Sequence, residues 1–542
     1  MNLRRVVIAF ALALVVAALP AGGARALAAD KKQRARAEKA LREGEFASAE
    51  KLYRELVEKD PKDAAARLGL SYAQLKQRNL RDAYDNAARV VAVDPLSARA
   101  HALLGSALLS AGDFALSVEE FRTALGLDPA EALAVAGLSM INFYENRTQV
   151  ALEGLRRAVE LDPNEPDFLY SYAQTASRAE RYREAADGYE QFLRIAPKTD
   201  ADRRARIRGL IDFLRYIGNQ GALYQVGGPA RTETPFELVN SRPIFTVRVN
   251  GAKRPLRFVL DTGSGMCVVA REAAERIGLK PIARGGMARA VGGGGRFEIV
   301  YGFIETLQLG ETKISNVPVY LRDFYSSQEP VDGYIGLSVL SRFLSTVDYG
   351  TRAMSLLRDD ARTDAPQPDA VQPPPGAVQT AGAPEPAFAF ELPIRSTSSG
   401  FWSGSVRVAD MEKPANFIID TGATVSVVSE EYAARESLSR YEQQAKLRVY
   451  GAAGVSEGVR LLMLPRLTLG SYVHPNLAAA VLDMSSINET AGFEQTGIVG
   501  GNVLRFFRLT FDFRRGAVRF EMIPNFKPSP LPREANVTPQ GY

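Results

Sequence analysis

Two aspartates in this 542-residue chain stand where a carboxyl group could do acid–base chemistry. One is Asp261, in Phe258-Val259-Leu260-Asp261-Thr262-Gly263-Ser264-Gly265, and the other is Asp420, in Phe417-Ile418-Ile419-Asp420-Thr421-Gly422-Ala423-Thr424. Each acid follows three residues of the kind that fold into a core. Folding therefore strips part of its water and raises its pKa unless hydrogen bonds stabilise the charge, and the Thr hydroxyl and Gly amide that follow are suitable donors. A lone Asp-Thr-Gly arises easily by chance, so the weight lies in the shared context. Both motifs are followed by an apolar run (266–270 and 425–428), then by a charged segment of helix formers (271–279 and 430–438). Farther on, each copy has an apolar pair before glycine, Tyr334-Ile335-Gly336 and Ile498-Val499-Gly500, with Leu340 and Leu504 four residues beyond the glycine.

The elements that must position these acids read as strands. From about residue 230, short β-branched runs such as 244–249, 257–260 and 317–321 alternate with Gly and Asn turns, which argues for an all-β barrel or sandwich. The pattern occurs twice, over 236–358 and 388–524. The connector 359–386 carries Pro366, Pro368, Pro373, Pro374, Pro375, Pro384 and Pro386 and reads as an extended linker, and 525–542 reads as a tail.

The two motifs with their downstream glycine strands resemble the pepsin and retropepsin aspartic proteases, in the compact retroviral-type form found in bacterial proteins. The resemblance implies one catalytic aspartate per half, Asp261 and Asp420, meeting between two barrel-like lobes and sharing one proton. It implies that Thr262 and Thr421 brace the two loops and that Gly263 and Gly422 let backbone amides approach the carboxylates. It implies glycine-tipped hairpins that close over substrate, with candidates Gly292, Gly293, Gly294 and Gly295 in the first half and Gly451 and Gly454 in the second. The implied activity is an aspartic endopeptidase acting on peptide or protein through an activated water, without metal or cofactor. The halves are not interchangeable, since Ser264-Gly265 stands against Ala423-Thr424, and this favours a pair formed within one chain. The alternative is a non-catalytic peptide- or protein-binding scaffold with inactive protease-like domains.

Upstream, Asp-Pro recurs at Asp60-Pro61, Asp94-Pro95, Asp128-Pro129 and Asp162-Pro163, always at the same interval, and the series continues at Ala196-Pro197. On the same period fall the small residues Ala49, Ala83, Ser117, Ala151 and Ala185, with Tyr53, Phe121, Leu155 and Tyr189 four positions after four of them. The unit 98–131 strongly resembles a tetratricopeptide repeat. Five units fill 30–199, and a helix over 201–216, with Ile207, Leu210, Ile211 and Leu214 on one stripe, covers the last apolar edge, so the repeat domain spans 30–218. Stacked repeats form a groove suited to a protein or peptide partner. The stretch 218–232 contains glycine and joins the helical and strand textures.

Composition narrows the rest. One cysteine, Cys267, excludes an intrachain disulfide and multi-cysteine metal sites, and two histidines, His101 and His474, leave little for metal clusters. His101 lies on a repeat helix with no titratable neighbour at ligand spacing. Cys267 lies in an apolar strand as a structural thiol, His474 at a strand end or turn, and Trp402 reads as a packing aromatic. Residues 1–28 have Arg4 and Arg5, the apolar run 6–19, Pro20 and Ala26-Leu27-Ala28, the pattern of a cleaved secretory signal. Removing its three arginines takes the formal charge from +5 to +2, which gives no reason to expect nucleic acid. The apolar run is shorter than a spanning helix, so no stable membrane span is expected. The expected location is outside the cytoplasm, in a bacterial periplasm or exterior.

Overall fold

The computed structural model describes residues 21–292, 295–325, 330–362, 388–451, 454–524 and 534–536, excepting the side chains of 21–28 and 534–536. Residues 1–20 of the signal segment, 363–386 of the linker, Gly293 and Gly294, and most of the tail lie outside the described residues.

Among the described residues, the helices come first: α1 (Ala21–Glu43), α2 (Phe46–Lys59), α3 (Ala64–Lys76), α4 (Leu80–Val91), α5 (Ala98–Ala111), α6 (Phe114–Leu127), α7 (Ala132–Tyr144), α8 (Thr148–Leu161), α9 (Pro166–Arg178), α10 (Tyr182–Ile195) and α11 (Ala201–Ile217). The Asp-Pro period has a local cause. The amides of Asp60, Asp94, Asp128 and Asp162 close the last helical turn onto the carbonyls of Leu56, Val90, Ala124 and Ala158. Their side chains then accept the amides of Lys62, Leu96, Ala130 and Asn164 at 2.9–3.2 Å. An Asx turn thus stops each helix, and the proline after it, lacking an amide, cannot extend it.

The chain forms two compact units: residues up to 137 with 195–200, and residues 138–194 with everything from 201 onward. The division cuts the repeat array inside α7 rather than at 218–232. In the first unit Ala49, Ala83 and Ser117 are fully buried, as is Phe121, and Tyr53 is nearly so. The Ser117 hydroxyl donates to the Gly105 carbonyl at 2.8 Å, and the Phe121 ring occupies the space a side chain at Gly105 would need. His101 is not without a titratable partner, because α6 brings Glu120 Oε2 to 2.6 Å of its Nδ1, while the Pro95 carbonyl lies 3.1 Å from Nε2. Sequence spacing could not show this contact, since its members sit on different helices.

The second unit holds the last repeats and both β lobes. Lobe 1 contains β1 (Gln225–Gly227), β2 (Arg231–Pro235), β3 (Glu237–Val239), β4 (Arg242–Val249), β5 (Leu256–Leu260), β6 (Cys267–Ala270), β7 (Ala283–Arg289), β8 (Arg296–Leu309), β9 (Thr312–Arg322), β10 (Gly333–Ile335), β11 (Phe343–Asp348) and β12 (Ala353–Arg358). Lobe 2 contains β13 (Ala389–Ser396), β14 (Trp402–Val408), β15 (Ala415–Ile419), β16 (Ser426–Ser429), β17 (Glu442–Gly451), β18 (Gly454–Leu469), β19 (Tyr472–Leu482), β20 (Gly497–Val499), β21 (Phe507–Asp512) and β22 (Ala517–Met522), followed by β23 (Glu534–Asn536). The pairing repeats. In lobe 1, β5 lies between β4 and β10, β10 pairs β6, β6 pairs β9, β9 pairs β8 and β8 pairs β7; in lobe 2 the matching order is β14–β15–β20–β16–β19–β18–β17. β5 and β10 run parallel, as do β15 and β20, so both motif strands end beside a glycine strand.

The lobes are not separate barrels. β11 pairs antiparallel with β21, Ser345 opposite Phe511 through Asp348 opposite Arg508, and this joins β2–β12–β11 to β21–β22–β13 in one sheet. Strands β1 and β2 precede residue 236, where the sequence placed the start of the first half. The first linker residues form a short 3₁₀ turn (Asp359–Ala361), after which the Arg362 guanidinium pairs with Asp512 at 2.7 Å. β23, in the tail, lies parallel to β17.

Candidate active site

Each motif strand ends at its aspartate because the next residues turn back to be held by the glycine strand. The Asp261 amide donates to the Ile335 carbonyl at 3.0 Å, and the Asp420 amide to Val499 at 3.0 Å. Beyond the turn, Leu337 and Ser338 donate to the carbonyls of Ser264 and Gly265, and Gly501 and Asn502 donate to those of Ala423 and Thr424. Glycine is required at 336 and 500 by close backbone approach. A Cβ on Gly336 would lie 2.5 Å from the Met266 carbonyl oxygen, and one on Gly500 would lie 2.7 Å from that of Val425.

The two motifs face one another and are cross-braced. The Thr262 hydroxyl donates to the Ile419 carbonyl at 2.7 Å and accepts the Thr421 amide at 3.0 Å. Reciprocally, the Thr421 hydroxyl donates to Leu260 at 2.8 Å and accepts the Thr262 amide at 3.2 Å. All four bonds are buried, where such bonds are strongest and costly to leave unmade. Within each turn the amide two residues on holds the carboxylate, Gly263 to Asp261 Oδ1 at 2.9 Å and Gly422 to Asp420 Oδ1 at 2.7 Å. Gly263 packs directly against the Asp420 carboxyl group, which leaves no room there for a side chain.

Both aspartates are fully buried. Burial pushes the Asp420 carboxyl up to about 6, against the lowering contributed by the Gly422 amide, the Asp261 side chain and the amides of Ala423 and Gly263. Two buried acids within hydrogen-bonding reach titrate as a pair and hold one proton between them over a range of pH.

Two hairpins, β7–β8 and β17–β18, carry the glycine tips. A Cβ on Gly292 would meet the Gly451 Cα at 3.0 Å, and one on Gly451 would meet the Gly292 Cα at 2.6 Å, so the tips touch backbone to backbone. Gly295 and Gly454 flank this contact in sequence. Val291 of the first tip packs in one apolar cluster with Val449 and Val459 of the second and with Ala423 and Val425 beside Asp420.

The remaining candidates have structural surroundings. The Cys267 thiol accepts the Gly336 amide at 3.3 Å, and burial pushes it up to about 12. Its counterpart six residues after the other aspartate is Ser426, whose hydroxyl accepts the Gly500 amide at 3.1 Å and donates to Asn502 Oδ1 at 2.8 Å. His474 lies on β19 with its Nδ1 3.1 Å from the Tyr472 hydroxyl, and Trp402 packs on Phe513. Sequence reasoning missed Asn502, although its place two residues after Gly500 was a usable signal. It also missed the arginines that hold the crossing turns. Arg505 Nη1 donates to Ser241 Oγ at 3.1 Å, and Arg178 reaches the loop 396–401. Among the described residues no cluster of His, Cys, Asp and Glu could hold a metal ion, and no helix is long and apolar enough to cross a membrane.

Comparison with known families agrees with this geometry. Residues 245–339 and 404–503 match the aspartyl protease family model, and residues 40–107, 98–131 and 141–199 match tetratricopeptide repeat models. Among curated proteins none matches this chain. Similar solved structures include a thermophilic TPR protein of Thermus thermophilus, at 21% identity over 34% of this chain and 98% of that one with a TM-score of 0.29. PilF of Pseudomonas aeruginosa is 17% identical over 35% of this chain and 85% of that one, with a TM-score of 0.26. MamA of Desulfovibrio magneticus is 19% identical over 31% and 94%, with a TM-score of 0.23. These are likenesses of fold alone.

Proposed function

We propose that this chain, in which tetratricopeptide repeats precede two aspartyl protease domains, is an exported aspartic endopeptidase whose catalytic pair, Asp261 and Asp420, forms within one chain. The observation that carries the reading is the reciprocal Thr262–Thr421 brace, which sets two buried carboxyl groups against each other beneath two meeting glycine tips. The ionised member of the pair takes a proton from water as its oxygen attacks the peptide carbonyl carbon. The protonated member gives its proton to the carbonyl oxygen. Collapse of the tetrahedral intermediate breaks the C–N bond: the departing nitrogen takes up the proton from the first carboxyl group, while one hydroxyl of the intermediate returns its proton to the second carboxylate as the C=O bond re-forms. The pair must hold one proton to start, and the raised Asp420 carboxyl keeps that proton below about pH 6. Gly292 and Gly451 act as the closing tips, and the signal-like segment 1–28 supports export to a periplasm or exterior. The repeats recruit substrate or a protein partner.

A second reading, a scaffold that binds peptide without cutting it, is favoured by one observation: both carboxyl groups are fully shielded with the tips in contact. Incubating the purified protein with a mixed peptide library at acidic and neutral pH, with and without pepstatin, separates the two. The endopeptidase reading expects pepstatin-sensitive cleavage at acidic pH. Binding without cleavage supports the scaffold, and cleavage that survives replacement of both aspartates by asparagine sinks the proposed mechanism.

A further inference from the structure

The fourth and fifth repeats present the same face to one loop of lobe 2. Tyr144 and Arg178 hold the same position in successive repeats, and Gln174 lies one turn before Arg178 on α9. All three reach the loop 396–401 between β13 and β14. Gln174 Nε2 donates to the Ser398 carbonyl at 3.1 Å, and Arg178 Nη2 donates to the Thr397 carbonyl at 3.3 Å. Arg178 Nη1 donates to Ser396 Oγ, and the Tyr144 hydroxyl lies 3.4 Å from Ser398 Oγ. The guanidinium stacks on Phe143 at 4.3 Å, and burial lowers its pKa to about 10. Two of these bonds are to carbonyl groups, the way an extended peptide would be read in such a groove, yet the ligand is the chain itself.

The other side of the loop presses on the first aspartate's turn. The loop closes through Thr397 to Phe401 at 2.7 Å and Gly400 to Thr397 at 3.0 Å, which directs the Ser399 carbonyl at Gly265. A Cβ on Gly265 would lie 2.9 Å from that oxygen. Gly265 is four residues after Asp261, and its own carbonyl is one that the segment after the glycine strand holds, through the Ser338 amide at 2.9 Å. A continuous series of contacts therefore runs from Arg178 through the loop to the turn that carries Asp261.

We propose that Arg178, assisted by Gln174 and Tyr144, is a positioning residue for the aspartate pair. By holding the loop 396–401 against Gly265, this face of the last two repeats becomes a structural part of the proteolytic site and takes an internal ligand. The proposal rests on the endopeptidase reading for its kinetic consequence but not for its structural one, and the two are tested separately.

Hydrogen exchange on the full-length protein tests the structural part without any assay of cleavage. R178A is expected to speed exchange of the amides at 397–401 and 262–266 about tenfold while leaving the strand amides of β5 and β9 unchanged. Should R178A loosen the whole unit, Q174A, which removes one donor, is expected to give a smaller rise confined to the same two segments. Unchanged exchange in both segments in whichever variant stays folded overturns the proposal. In the kinetic arm, R178A is expected to lower kcat about tenfold with KM within twofold, and R178K is expected to recover part of the loss. A rise in KM with kcat retained overturns positioning, because the groove would then be acting on substrate. A wild-type protein that cleaves nothing removes the endopeptidase reading and leaves the exchange result to decide the positioning role.

Discussion

The two lobes run one strand order around one three-residue motif, and they differ in what supports it. Atoms that touch the carboxyl groups are duplicated: the paired threonines, the amides of Gly263 and Gly422, and the glycine strands at 336 and 500. One layer out the copies diverge. The Gly336 amide meets a thiol and the Gly500 amide a hydroxyl. The turn at Ser241 is held by Arg505 from the opposite lobe, whereas the loop 396–401 is held by Arg178 from the repeats. The first hairpin leans on α11, where Phe213 stacks on Tyr301 at 4.3 Å and Arg206 donates to the Met287 carbonyl at 3.0 Å. The second carries the strand β23 instead. A chain that encodes both lobes separately can keep the chemistry symmetric and let the supports specialise, which a homodimer of identical lobes cannot do.

The largest effect should fall on the symmetric part. Asp261→Asn and Asp420→Asn are each expected to lower peptide hydrolysis by at least about a hundredfold, the usual scale of a lost acid–base group, while circular dichroism stays native. Mixing the two variants should restore little. If each variant kept half the activity, the lobes would be working as separate homodimers, and the comparison would have to be drawn between molecules rather than within one.

Next comes the brace, which predicts equality. Thr262→Val and Thr421→Val each remove a hydroxyl that donates one buried bond and accepts another, leaving a carbonyl and an amide of the opposite strand end unpaired. At about 1 to 3 kcal/mol for each buried group left unsatisfied, the two groups together should cost each variant about 2 to 6 kcal/mol in urea denaturation. Losses that differ by more than about 1 kcal/mol would show that the brace is less symmetric in energy than in geometry.

What the sequence disclosed follows the same division. An apolar pair before glycine at 336 and 500, Thr-Gly after each aspartate, and the evenly recurring Asp-Pro are all demands of the local backbone. Each is written into residue types at fixed offsets, so the motif pair, the glycine strands and the repeat period could be read directly. The β11–β21 seam, the Arg178 and Arg505 contacts and the docking of α11 on the first hairpin were not legible. Each joins residues far apart in the chain, and each uses ordinary residue types: an arginine on a repeat helix, a phenylalanine in an apolar stripe. Nor does anything in the spacing mark Glu120 as the partner of His101. Asn502 lies between these cases, because aligning the copies on Gly336 and Gly500 sets it against Ser338.

The pH dependence should report the proton that the two lobes share. The Asp420 carboxyl is raised in the fold, so between about pH 4 and 6 the native state keeps a proton that the unfolded chain has released. Its contribution to stability is complete below about 4 and is lost as pH rises through about 6. Asp420→Asn should remove that penalty and raise stability at pH 7 by up to about 3 kcal/mol, while changing little at pH 4. Thermal melts at the two pH values check this, and a variant that is equally stabilised at both would place the cause in packing rather than in the proton.

The smallest effect tests whether Cys267 and Ser426 are the same position in two dialects. Both lie six residues after an aspartate and both accept a glycine-strand amide, Gly336 in one lobe and Gly500 in the other. Their neighbours differ, since Ser426 also donates to Asn502 Oδ1 while the matching residue in lobe 1 is Ser338. Cys267→Ser puts a stronger donor into a buried site that lacks the asparagine, so it should cost about 1 kcal/mol, the scale of one imperfectly satisfied hydroxyl. Adding Ser338→Asn replaces the hydroxyl that now interacts with the Cys267 thiol by an amide like the one Asn502 offers Ser426. If the lobes are interchangeable at this layer, the double variant should recover most of the loss, a coupling that a double-mutant cycle reads directly. Two costs that simply add would mean that the supports of the two aspartates have diverged too far to be exchanged, even one hydrogen bond away from the symmetric core.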